Sequence, residues 1–142
     1  MKTRKYAYRT STGFVALAFA GGGIMDLLHA PALQASIGTL GYPSYFMTIL
    51  GTWKVLGVLA LLAPGLPRLK EWAYAGMFFD LSGAVASHLL SGDLPSNAIP
   101  PFVIGLFLIA SWALRPADRT LGVLSLPRSG AAGCPSQAHA AA

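Results

Sequence analysis

Apolar residues run along this chain in four long stretches, and the prolines keep out of their middles. Pro31, Pro43, Pro64, Pro67, Pro95, Pro100, Pro101, Pro116, Pro127 and Pro135 all fall between or at the edges of those stretches, as expected of helices that an internal proline would break. The pattern predicts helices over residues 12–28, 45–62, 71–90 and 99–114. Each is close to the about 20 residues that carry a helix across a hydrocarbon core of about 30 Å. Uncharged runs of at least about 18 residues occur at 94–114 and at 30–53, while the first and third predicted helices each contain an aspartate and the second a lysine.

Composition agrees with that reading. Of 142 residues, 54% are apolar and 11% charged, against about 25% charged in a typical soluble domain. So few charges cannot cover a water-facing surface, which leaves a bilayer as the main environment. The net charge of +5 raises nucleic acid as a partner, but the basic residues form no stripe along one face and give no support to that class. They cluster instead at Lys2, Arg4, Lys5 and Arg9, at Arg68 and Lys70, and at Arg115, Arg119 and Arg128, with Lys54 alone elsewhere. The predicted loops 29–44 and 91–98 hold none. Basic residues in short loops stay cytoplasmic during insertion, so the expectation is an all-α, membrane-embedded four-helix bundle in the bacterial inner (cytoplasmic) membrane, with N- and C-termini cytoplasmic.

The first apolar stretch continues through Ile24, Met25, Leu27 and Leu28 without an A-x-A site, so an uncleaved span is expected rather than a signal peptide. Residues 1–11 read as a basic cytoplasmic N-terminus, 12–115 as the transmembrane domain and 116–142 as a cytoplasmic tail, with 125–142 rich in Ala, Gly, Ser and Pro and expected to be disordered. Cys134 is the only cysteine, which excludes an internal disulfide, a CxxC redox pair and a cysteine-rich zinc site.

Ionisable groups at membrane depth are costly, so they face inward and find partners. Lys54 and Asp80 fall near the midplane of the second and third predicted helices, and an antiparallel pair of helices would let them meet. That pair reads either as a proton relay or head-group site, or as a buried ion pair that fixes helix register. Asp26, His29 and His88 fall near the non-cytoplasmic ends and form a second expected group. A carboxylate beside two imidazoles could poise a proton donor or acceptor, while His29, just before Pro31, also fits a helix cap. Without an HxxxH or ExxH spacing no metal site is expected. Gly21, Gly22 and Gly23, Gly51 and Gly57, and Gly76 and Gly83 lie beside these polar residues, where small residues let helices approach in lipid or leave room for a flat or isoprenoid ligand. Trp53 departs from the interfacial positions of most Trp and Tyr residues and is a candidate cavity wall.

The stretch Gly51-Thr-Trp-Lys54-Val-Leu-Gly57, then Leu61-Leu-Ala-Pro64-Gly, Leu69-Lys-Glu-Trp-Ala-Tyr-Ala-Gly76, Asp80 and Ser87-His88 resembles the DoxX-like family of small bacterial membrane proteins. Gly41-Tyr-Pro43, Asp26 and His29 fit the same resemblance, which extends over about residues 12–115. It implies a four-helix membrane bundle and a link to a thiosulfate:quinone oxidoreductase subunit. It thereby points to a quinone-like lipophilic carrier as ligand, with Lys54 and Asp80, or Asp26 with His88, supplying hydrogen bonds and protons. The chain lacks the cysteine motifs, haem-ligating pattern and Rossmann fingerprint of a self-sufficient redox enzyme. Oxidoreductase chemistry would therefore need a partner protein. A non-enzymatic assembly or partner-binding subunit is the alternative, and a small-solute or proton transporter a third, less supported by the absence of broken helices and repeats.

Overall fold

The computed structural model describes residues 2–116, and among them all regular secondary structure is helical. Its helices are α1 (Lys2–Leu27), α2 (Pro31–Thr39), α3 (Tyr45–Leu62), α4 (Pro67–Leu90) and α5 (Ile99–Ala113), with a 3-10 turn at Pro95–Ala98 before α5. The expected tail over 125–142, including Cys134, lies outside the described residues.

Two differences from the sequence expectation have one physical origin. The segment 29–44, expected as a loop, contains α2, and α4 starts at Pro67 rather than at residue 71. Proline opens α2, α4 and the 3-10 turn, and Pro100 and Pro101 occupy the first turn of α5. In the first turn a backbone N–H has no helical acceptor, so proline loses nothing there and presets the helical φ. The same residue that ends one helix thus begins the next. α1 also extends back to Lys2, because nothing between Lys2 and Thr12 interrupts it and the Thr10 and Ser11 hydroxyls donate to carbonyls of its own preceding turn. Its 26 residues span about 39 Å at 1.5 Å per residue, so its basic first turns extend beyond a hydrocarbon core.

α1 packs chiefly on α3 and α5, and α4 on α5 and α3, while α2 touches α1 only lightly. The four long helices enclose a core built from Val15 and Phe19 of α1, Val58 and Leu61 of α3, Tyr74, Met77 and Leu81 of α4, and Leu108 of α5. The outward surface is also apolar: Leu17, Leu59, Trp72, Phe79 and Leu90 are all well exposed. Water would penalise such a surface and hydrocarbon would not. Three helical stretches, Thr3–Leu27, Tyr45–Leu62 and Pro95–Ala113, are long and apolar enough to cross a membrane. α4 matches them in length but carries Arg68, Lys70, Glu71 and Asp80.

Candidate functional site

α1 and α3 approach each other closely at a pair of glycines. A Cβ on Gly51 would fall 2.7 Å from the Gly23 carbonyl oxygen and 3.0 Å from Asp26 Cβ, and one on Gly23 would fall 3.0 Å from Lys54 Cβ. Three residues along each helix from this crossing stand Asp26 and Lys54, on the same face as their glycines. Lys54 Nζ donates to Asp26 Oδ2 at 2.8 Å. Asp26 is only 3% exposed, so the ammonium stands in for the water that the carboxylate gave up on burial.

Lys54 was expected to meet Asp80, and the structure corrects the partner. Side chains on a helix lean toward its N-terminus. The start of α3 lies beside the end of α1, so Lys54 leans toward Asp26, and the Gly23–Gly51 contact holds the two helices together there. Depth along the helices set the candidates, and the close glycine contact between α1 and α3 decided between them.

Asp80 nevertheless shares a cavity with Lys54. A groove of about 750 Å³ runs between α3 and α4, walled by Leu56, Ala60, Ala73 and Met77, with Trp53 and Trp72 beside it and Lys54 and Asp80 as its charged lining. Trp53 is 68% exposed and lines this groove, as its position away from the interfaces suggested. Gly57 lets Met77 close one wall, since a Cβ there would fall 3.1 Å from Met77 Cε, while Gly76 faces open space. Among the described residues Asp80 accepts no hydrogen bond and joins no ion pair.

The second expected group does not form. Asp26 is engaged by Lys54, His88 Nδ1 lies 2.7 Å from Asp93 Oδ2 in the turn after its own helix, and His29 lies against the Leu27 carbonyl at 3.2 Å and Thr48 Oγ1 at 3.4 Å. His29 serves as a cap: it adopts a left-handed φ of 49°, and the Ala30 N–H reaches back to the Met25 carbonyl, a helix-ending geometry usually given to glycine. Asp93 also accepts from the Leu94 N–H and from Asn97 Nδ2. Asn97 and His88 together hold its carboxyl below the usual carboxylate range.

A further polar cluster, at the other end of these helices, escaped the sequence reading. Thr12 Oγ1 and Ser111 Oγ lie 2.6 Å apart, and the Tyr74 hydroxyl lies 2.8 Å from Ser111, linking α1, α4 and α5. Arg115, assigned from sequence to the orientation signal, is buried: it pairs with Glu71 at 2.8 Å and stacks over Tyr74 and Trp112. Lys70 is 2% exposed and donates to the Leu61 carbonyl at 2.6 Å, supplying a cation to the C-terminal end of α3. Thr12, Tyr74 and Ser111 share a depth in the predicted topology, the same signal that singled out Lys54 and Asp80.

No curated protein and no solved structure matches the chain. A model of the DoxX-like family does match, over residues 10–111. With its lipid-compatible surface and apolar helices, the chain belongs to the DoxX-like family of membrane proteins.

Proposed function

We propose that the protein is a multi-pass protein of the bacterial inner membrane, with α1, α3, α4 and α5 as its four crossings and both termini cytoplasmic, and that its α3–α4 groove binds a quinone-like lipophilic carrier. The topology rests on charge: no basic residue lies between α1 and α3 or between α4 and α5, while Arg68 and Lys70 begin α4 and Arg115 follows α5. The ligand reading rests on the groove. Its volume of about 750 Å³ lies within the range of about 300–1,000 Å³ usual for small-molecule sites, and its few polar groups among apolar walls fit a lipophilic molecule with a polar ring. Lys54, with its ammonium held by Asp26, and Asp80 would hydrogen-bond a ring oxygen, and a carrier of this type supplies reversible two-electron chemistry when bound. The electrons would come from a partner oxidoreductase.

Extraction of the purified protein tests this. Wild type should release an isoprenoid or quinone near equimolar amount, and Gly76→Leu, whose Cβ meets nothing within 4 Å and whose side chain adds bulk to the groove, should release less than one tenth of that. An empty wild-type protein would overturn the ligand reading. A second reading has its own support: the Lys54–Asp26 bridge sits beside the close Gly23–Gly51 crossing, as a purely structural pair in a non-enzymatic membrane subunit would. In that case extraction finds nothing and Lys54→Met with Asp26→Leu leaves the cellular phenotype unchanged.

A further inference from the structure

Three charged side chains meet around this groove, and their signs do not cancel. Asp26 and Lys54 form one neutral pair at 2.8 Å, which leaves Asp80 facing the groove as a second carboxylate beside an ammonium already held by the first. Among the described residues the surroundings of Asp80 supply no second cation. α3 carries no charged residue besides Lys54, and α5 and the Pro95–Ala98 turn carry none. On α4 itself Glu71 pairs with Arg115, Lys70 is buried against the Leu61 carbonyl at the cytoplasmic end, Arg68 is exposed there, and His88 pairs with Asp93. Asp26 adds only further negative charge. A lone carboxylate in apolar surroundings is strongly disfavoured, and a proton is the simplest cation that relieves it.

We infer that Asp80 is a proton-binding site of the groove, holding its proton as a carboxylic acid that donates a hydrogen bond to the oxygen of a neutral lipophilic ligand, while Asp26 is the permanent counter-ion of Lys54. This rests on the reading of the groove as a ligand site for its second half only. The division of labour follows from geometry. One carboxylate has an ammonium at hydrogen-bond distance; the other faces the apolar groove and is the group able to exchange a proton with a bound oxygen.

Dicyclohexylcarbodiimide, a lipophilic reagent that attacks protonated carboxyls, reads the difference directly. The acid gives its proton to a carbodiimide nitrogen, the carboxylate oxygen bonds to the central carbon, and acyl migration to nitrogen leaves a stable N-acylurea with no other reactant. In full-length protein reconstituted in phosphatidylcholine vesicles, peptide mass mapping should find the adduct on Asp80, at least tenfold above Asp26, with the yield falling in alkaline buffer. Asp80→Asn should abolish it. Prior addition of decylubiquinone should suppress it. No adduct on Asp80, or equal adducts on Asp26 and Asp80, overturns the proton site even if quinone is extracted from the protein. An Asp80 adduct that decylubiquinone leaves unchanged upholds the proton site and counts against the quinone reading alone.

Discussion

Asp26 and Lys54 show how a single side chain decides what a fold tolerates. Removing one member of this pair leaves the other charge without its partner, a loss approaching the about 3–5 kcal/mol of a fully buried pair, since Asp26 is buried and Lys54 is 21% exposed. Asp26→Ala should therefore lower the thermal midpoint in detergent substantially, and Lys54→Met combined with Asp26→Leu should recover most of it. Asp80→Asn breaks no hydrogen bond among the described residues and should leave the midpoint nearly unchanged. Thermal unfolding followed by tryptophan fluorescence separates these outcomes, and a large loss in Asp80→Asn would show that the pairing is shared. The polar residues that matter were legible from the sequence because charge is so scarce in the apolar stretches. Their pairing was not, because residue spacing records depth along a helix but not how closely each neighbouring helix approaches, and the Gly23–Gly51 contact is what sets Asp26 against Lys54. His29 and His88 were misgrouped for a related reason: both end helices, and each found a local partner in its own turn.

Among the elements, the α1–α3 crossing is the least forgiving. Gly51→Ala would place a methyl within 2.7 Å of the Gly23 carbonyl, and backbone cannot yield as a flexible side chain can, so the helices must separate and carry Asp26 away from Lys54. Gly83→Ala meets nothing within 4 Å and should be neutral, or stabilising by up to about 1 kcal/mol through helix propensity. Comparing midpoints of the two variants tests whether glycine serves here as contact or merely as filler; equal midpoints would remove the close crossing. Long apolar helices were readable because proline and charge bracket them. The short helix α2 was not, since a segment of nine residues opening on Pro31 looks from sequence like punctuation. It becomes a helix because Ala32, Leu33, Gln34 and Ala35 favour one once proline has preset the first turn.

For the whole molecule, the proposed four crossings place the turn after α4 and the turn before it on opposite sides of the membrane. With Cys134→Ser as background, a cysteine at exposed position 91 should react with an impermeant maleimide in intact spheroplasts, and one at exposed position 68 only after permeabilisation. Equal labelling of both positions would place α4 on the membrane surface instead. The Arg115, Glu71 and Tyr74 cluster would then lie at the inner boundary of the bilayer, where buried cations can serve packing as well as orientation. The groove between α3 and α4 adds a point about measurement. With Trp53 and Trp72 beside it and exposed, in the proposed topology it would open sideways, toward acyl chains rather than toward buffer. Its occupancy is then governed by mole fraction of ligand in lipid, so diluting the aqueous phase changes nothing, whereas adding empty micelles strips the site by mass action.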